Sequence, residues 1–482
     1  MSKSKTTRRD FLMTVSSATA GSFILPSLKN KNPIFPMYDV KPERMKIPKL
    51  ESVTTWAPHP KAAPKTRKEG DTLSIAANGT RTVSGGWQVR YSDVQPGTTF
   101  RIDVPCKVFN IKHVRESIDC YAIWGDVPSD RGYNNGVDNE MLILSEDNGS
   151  FRFSRIITVP ENAKVLVIQY VFRWSTHGEV KFGMPLFTEA TLPAIKNVKI
   201  AVATGSVESN KRAGRTIADS VLFYSNIVKD AAKTRPDMIV LPECALNVKA
   251  PGHAIDNALT LDSKEVKAFI EMARESDTYI LVTLYERNGD AFHNSAAVVG
   301  KEGVIGVYRK VHLATHSETN SGLTPGDTFP VFETPAARFG CNICMDVSAT
   351  ESARVVAING ADVLLLPIMG DHRADRFDRG NPVFHEDRWK AIMRTRALDN
   401  QFVLAAARNG GLGSTIINSR GDIVAWNDGN QEFIVSEVDI DPVYRLWNGL
   451  RQRDVIWFER RPQLYGEFMY ENNLALGNLM GS

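Results

Sequence analysis

The hydrophobic period changes once along this chain, near residue 190, and that change limits the fold more than any other feature. Between 71 and 190, short alternating segments such as Trp87-Gln-Val-Arg-Tyr, Phe100-Arg-Ile-Asp-Val, Phe151-Arg-Phe-Ser-Arg-Ile-Ile and Val165-Leu-Val-Ile-Gln-Tyr-Val-Phe are separated by Gly, Pro, Asn and Asp turns. Period-two segments between turn residues predict an antiparallel β-sandwich. From Val198 the pattern differs. Val198 to Val202 reads as a strand, Ile217, Val221, Tyr224, Val228 and Ala231 recur at helical intervals, and Met238-Ile-Val-Leu reads as the next strand. Strands alternating with helices predict an α/β layered domain.

With 482 residues there is room for two such domains and a leader. The predicted boundaries are a leader over 1–27, a Pro- and Lys-rich linker over 28–70, the sandwich over 71–190, the α/β domain over 196–470 and a tail over 471–482. Hydrophobic residues make up 43% and charged residues 23%, which excludes collagen-like, coiled-coil and wholly disordered classes. The net charge of +3 is small and concentrated in the first seventy residues, so no nucleic-acid surface is expected. The best apolar stretch, Phe11 to Leu25, is short and interrupted by Ser, Thr and Gly, so no stable membrane insertion is expected.

Thr7-Arg8-Arg9-Asp10-Phe11-Leu12, followed by a weakly apolar segment and Ala18-Thr19-Ala20, reads as a twin-arginine export signal and predicts a periplasmic or extracellular location. The alternative reading is a basic disordered N-terminus. Trp87, Trp124 and Trp174 are candidate stacking residues for a carbohydrate on the sandwich, set against the commoner role of strand aromatics as core.

Five cysteines, at 106, 120, 244, 341 and 344, leave at least one free thiol however the others pair. Cys341 and Cys344 have C-x-x-C spacing, but three strand steps of about 3.3 Å put their Cα atoms roughly 10 Å apart, beyond the ~7 Å reach of a disulfide. No second C-x-x-C or His pair completes a metal site, and neither metal nor organic cofactor is expected.

Three segments carry chemistry. Met238 to Leu241 reads as a buried strand stopped by Pro242, which delivers Glu243 at a strand's carboxyl end, where α/β sheets place their ligands. Gly306-Val-Tyr-Arg-Lys310-Val-His-Leu reads as a strand carrying a cation among apolar neighbours. Phe339-Gly-Cys-Asn-Ile-Cys344-Met-Asp346 leads into Ser348-Ala-Thr-Glu351, whose spacing predicts a capping box opening a helix that runs to Asn359-Gly360. A helix N-terminus beside Cys344 is expected to lower its thiol pKa. Alone, each has a plainer explanation: a helix-capping acid, a solvated lysine, a packed cysteine. Together a thiol, a carboxylate and an ammonium at strand ends of one domain suffice for acyl transfer.

Leu241-Pro-Glu243, Tyr308-Arg-Lys310-Val-His-Leu and Gly340-Cys-Asn-Ile-Cys344-Met-Asp, in this order, resemble the nitrilase superfamily of carbon–nitrogen hydrolases. His293-Asn294-Ser295-Ala296, Arg396-Ala-Leu-Asp-Asn400-Gln, Gly413-Ser414-Thr-Ile-Ile-Asn-Ser-Arg-Gly421 and Arg460-Arg-Pro-Gln-Leu-Tyr465 extend the likeness over roughly 196 to 470. The resemblance implies a four-layer αββα sandwich, usually a homodimer, with Cys344 as nucleophile, Glu243 as general base and Lys310 as oxyanion stabiliser. It places a second acid at or near Glu318, before Leu323-Thr-Pro-Gly-Asp327. The implied substrate is a small amide or ureide. Met345-Asp346 follows the nucleophile, where nitrile-cleaving relatives carry Trp-Glu. Nitrile hydrolysis, acyl transfer to an amine, and a non-catalytic binding protein are the rival readings. Two departures point to an unusual substrate pocket: Ala349-Thr350-Glu351 replaces the usual Phe-Pro-Glu, and the stretch 370–381 is highly charged.

Overall fold

The computed structural model describes residues 47–461, apart from 126–138, 148, 193–196, 215, 376–382, 441–443 and 447–448, together with Leu464. The predicted leader, residues 28–46 of the predicted linker and the tail 471–482 lie outside the described residues.

The first half of the described chain forms two antiparallel sheets over one shared core. Every second residue of the central strand Ser84–Ser92 and of its neighbour Leu166–Arg173 faces this core, so Trp87, Val89 and Tyr91 meet Leu166, Ile168, Tyr170 and Phe172 inside. The stretch read as a linker differs from expectation after residue 48. Lys49–Trp56 pairs with Ser84–Ser92, and Lys65–Glu69 pairs with Thr72–Ala76. Both are edge strands and mostly exposed, so backbone pairing holds them without the apolar alternation that marks inner strands. The tryptophans differ too. Trp87 and Trp124 are buried in the core, and Trp87 Nε1 donates to the Ser74 carbonyl of the opposite sheet at 3.0 Å. Trp174 is exposed, with the Arg173 and Arg461 guanidinium carbons 4.0 Å and 4.8 Å from its ring centre.

The second half stacks four layers. Two six-stranded sheets face each other, and each carries helices on its outer side. Strand alternation produces the layering directly. In Asn197–Ala203, Val198, Ile200 and Val202 point to the inter-sheet core, while Ala201 and Ala203 face Tyr224, Ile227 and Val228 of helix Ile217–Ala232. In Val363–Ile368, Val363 and Leu365 point inward, while Leu364, Leu366 and Ile368 pack with Trp389 and Met393 of helix Glu386–Asn400. Helix Ile217–Ala232 opens on a capping box in which Thr216 and Asp219 exchange bonds.

The C-terminal segment fastens the two halves together. Glu140, buried on a strand of the first half, meets Arg155 at 2.9 Å, Arg445 at 2.5 Å and Arg451 at 3.1 Å. Arg155 also meets Asp454 at 2.6 Å, and Arg173 bridges Asp119 at 2.7 Å and Glu459 at 2.8 Å. Burial alone favours the neutral acid at Glu140, but Arg155, Arg451 and Arg445 outweigh it and hold its carboxyl below the ordinary glutamate value. A depressed folded-state pKa contributes stability above the unfolded value of about 4.3, and that stability is lost as pH falls through the folded value. Removing one partner of a buried pair costs about 3–5 kcal/mol because it strands the opposite charge. Glu140→Gln is therefore expected to lower unfolding stability at pH 7 by about that amount, with the gap to wild type narrowing below pH ~4. Urea titrations at both pH values measure it, and a gap under ~0.5 kcal/mol at pH 7 would remove the fastening role.

Candidate active site

Glu243 follows the short parallel strand Met238–Val240, whose three residues are all buried; Pro242 ends the strand, and Cys244 turns the chain with φ of 50°. The carboxylate is 3% exposed. Its Oε1 accepts from Lys310 Nζ at 2.9 Å and Asn294 Nδ2 at 2.8 Å, and its Oε2 accepts from the Met369 backbone N–H at 2.8 Å.

Lys310 lies one residue beyond strand Gly303–Arg309, not within it as the sequence pattern implies. Its backbone N–H donates to the Asn294 carbonyl at 2.9 Å and its carbonyl accepts from Gly326 N–H at 2.8 Å, so both peptide groups of the turn are fixed. The ammonium is 1% exposed and stands between two acids, 2.9 Å from Glu243 and 2.7 Å from Glu318. Burial opposes its charge, but the Glu243 and Glu318 carboxylates outweigh burial and keep it cationic, with its pKa raised. The structure thus brings Glu318 to the site. Its Oε2 also accepts from Ala314 N–H at 2.7 Å and its Oε1 from Asn294 Nδ2 at 2.6 Å.

Cys344 follows strand Arg338–Cys341 after two residues and has φ of 44°, a left-handed conformation that a residue with a side chain rarely adopts. It is half-buried, and its Sγ lies 3.5 Å from the Gly370 carbonyl. Residues Cys344–Ser348 form a 3-10 turn, and helix Thr350–Ile358 begins after Ala349, which makes no side-chain cap bond. Because the turn consumes Ser348, the predicted capping box does not form and the helix starts six residues from the thiol. The expected pKa lowering is overturned accordingly. Burial pushes the thiol well above its ordinary range and the Glu243 carboxylate adds to the rise, against smaller lowering by Lys310 and the Met369 N–H. The resting group is a thiol with a carboxylate beside it.

Sequence reasoning missed three members of the site. Asn294, read only as part of a supporting segment, touches both acids. The Met369 N–H comes from the loop after strand Val363–Ile368. Asp346, fully buried, accepts from Tyr308 Oη at 2.6 Å, Ile343 N–H at 2.8 Å and His312 N–H at 2.9 Å, which locks the nucleophile turn to the residues flanking Lys310. A polar Asn-Ser pair inside the otherwise apolar strand Ala291–Gly300 was the available signal for Asn294. Cys341 packs in the inter-sheet core, and all five cysteines are free. In the charged stretch, Asp371 pairs with Arg373 at 2.6 Å and Asp375 with Arg408 at 2.7 Å, while 376–381 lie outside the described residues.

The chain is 26% identical over 267 residues to omega-amidase NIT2 of Homo sapiens, spanning 52% of this chain and 91% of that protein. It is 28% identical over 266 residues to omega-amidase NIT2-B of Xenopus laevis, spanning 52% of this chain and 91% of that protein. A solved carbon-nitrogen hydrolase from Helicobacter pylori G27 aligns over 57% of this chain and 98% of its own with 21% identity and a TM-score of 0.46. The carbon-nitrogen hydrolase family profile matches residues 197–447, the whole of the four-layer half that carries Glu243, Lys310 and Cys344, and the chain belongs to that family as a carbon–nitrogen hydrolase.

Proposed function

We propose that the protein hydrolyses the C–N bond of a small amide or N-carbamoyl compound through a thioester on Cys344. The observation that carries this reading is a half-buried thiol, a buried carboxylate and a buried ammonium gathered at the ends of three strands. A thiol with a raised pKa needs a base at the moment of attack, and Glu243 stands beside it. Glu243 takes the Sγ proton as sulfur bonds to the carbonyl carbon. Lys310, fixed by two acids, offsets the charge that develops on the carbonyl oxygen. The proton on Glu243 passes to the departing nitrogen as the C–N bond breaks, leaving ammonia or an amine and the acyl-thioester. Water then gives one proton to Glu243 as its oxygen bonds to the acyl carbon; the C–S bond breaks, Glu243 returns that proton to Sγ, and the acid leaves with thiol and carboxylate restored.

The omega-amidases among the relatives support an amide over a nitrile. An amide also presents a carbonyl oxygen to Lys310 from the start, whereas a nitrile nitrogen must first be protonated. Twin arginines at Arg8 and Arg9 support export to a periplasmic or extracellular location. Val355, Ile358 and Leu398 leave apolar side chains exposed on one outer helix layer, which supports pairing with a second copy.

Two outcomes are expected. Cys344→Ala abolishes ammonia release from a panel of amides, N-carbamoyl amino acids and nitriles, while Cys341→Ala and Cys244→Ala retain most of it. Mass spectrometry of the wild type finds the acyl adduct on the Cys344 peptide. Full activity in Cys344→Ala ends the proposal, and turnover of nitriles alone reverses the substrate assignment. Glu318→Gln is expected to lower kcat on the order of 10²-fold by loosening Lys310, with the melting temperature close to wild type. Unchanged kcat would remove Glu318 from the site.

A further inference from the structure

Asn294 stands where two like charges have to be reconciled. Glu243 and Glu318 are 3% and 8% exposed, and both reach the same Lys310 Nζ, at 2.9 Å and 2.7 Å. One ammonium between two carboxylates leaves an excess negative charge in a buried space, and like charges at such a distance repel. Opposite the ammonium lies one more nitrogen shared by the pair, Asn294 Nδ2, 2.8 Å from Glu243 Oε1 and 2.6 Å from Glu318 Oε1. A primary amide nitrogen carries two N–H bonds, one for each acceptor, and no lone pair for hydrogen bonding. The four side chains close a ring in which acids and donors alternate.

Asn294 is 1% exposed and its Oδ1 has no hydrogen-bond partner among the described residues, so the two carboxylates orient the amide there. The reversed amide would set an oxygen against two carboxylates. Its backbone serves the same site, because the Asn294 carbonyl accepts the Lys310 N–H at 2.9 Å, one register step beyond the pair Ser295 and Arg309.

We propose that Asn294 is a positioning residue that holds Glu243 and Glu318 as a pair around Lys310, so that Glu243 stays aligned on the Cys344 thiol. The proposal rests on the hydrolase reading above for its rate consequence. Without the shared donor one acid turns away, Lys310 follows the other, and the base loses its alignment. A misalignment on the order of 1 Å costs about 10²-fold in rate.

The test counts carboxylates. Asn294→Asp keeps the side-chain shape, removes both N–H donors and adds a third acid. Asn294→Asp combined with Glu318→Gln returns the acid count to two and puts an amide back in the ring. The full chain is assayed with its best substrate from the panel, and Cys344 alkylation by iodoacetamide is followed by mass spectrometry. Asn294→Asp is expected to lower kcat and the alkylation rate on the order of 10²-fold with KM within about threefold. The combined variant is expected to lose at least tenfold less than the product of the two single losses, the coupling that contacting residues show. Asn294→Ser, smaller and uncharged, gives a second single variant should the added acid unfold the chain, and is expected to slow both readouts at least tenfold. Strictly multiplicative losses, or Asn294→Asp within threefold of wild type, would overturn the proposal. If the wild type turns over no compound while alkylation still shows the coupling, the hydrolase reading fails and the role of Asn294 stands.

Discussion

A buried ammonium clamped between two buried carboxylates is the constraint on which the geometry of the site depends. Lys310, Glu243 and Glu318 each forgo hydration, and a pair buried in this way repays that loss only when geometry is close and the remaining polar groups are satisfied. The surroundings meet that condition at named atoms. Met369 N–H occupies the second oxygen of Glu243, Ala314 N–H supplements Glu318, and Asn294 serves both. Both backbone donors lie in loops, and those loops have to be held in place. They require two sheets packed face to face through Val198, Ile200, Val240, Leu281, Phe339 and Leu365, with helices pinning each from outside.

The thiol is handled differently from the charges. Cys344 is not driven toward a thiolate at rest; burial and Glu243 push its proton affinity up. What the fold supplies is position. The left-handed residue at Cys344 stores backbone strain, and Asp346 offsets it by taking bonds from Tyr308, Ile343 and His312. His312 adds an Nδ1 contact to Asp346 at 2.8 Å, and that carboxylate raises the imidazole pKa although partial burial opposes it. The same buried acid therefore braces the nucleophile's turn against the residues on either side of Lys310.

Glu243, Lys310 and Cys344 were legible in the sequence because each ends or follows a strand in a recognisable segment, whereas Glu318, in a turn nine residues past its nearest strand, was placed only by the family resemblance. Their partners were less so. Met369 stands 126 residues from Glu243, and no local pattern reports a contact of that range. The left-handed turn at Cys344 was invisible because its residue type does not advertise positive φ as glycine does. Ser348-Ala-Thr-Glu351 has capping-box spacing, yet Ser348 closes the local 3-10 turn from Cys344, and the helix starts after Ala349 instead. The α/β character of the second half was legible from apolar period, and its four layers only through the family resemblance, whereas Lys49–Trp56 and Lys65–Glu69 were lost in the linker because edge strands are held by backbone bonds that leave no hydrophobic signature.

The fastening of the two halves reaches the nucleophile by a short physical route. Glu140 holds Arg445 and Arg451, and Arg451 opens helix Gln452–Phe458, whose Trp457 packs on the outer helix core. From that helix Arg453 approaches Asp362 at 4.0 Å, and Asp362 pairs at 2.8 Å with Arg338, the first residue of the strand that leads to Cys344. A route of contacts becomes a signal only when some element along it has two arrangements of similar energy. A nearly buried carboxylate ringed by three guanidinium groups is a poor candidate for that, since moving any one of them strands a buried charge. The ion pairs at Glu140 are therefore a fixed contact between the first half and the C-terminal segment, and Arg453 and Asp362 continue that contact to the strand before Cys344.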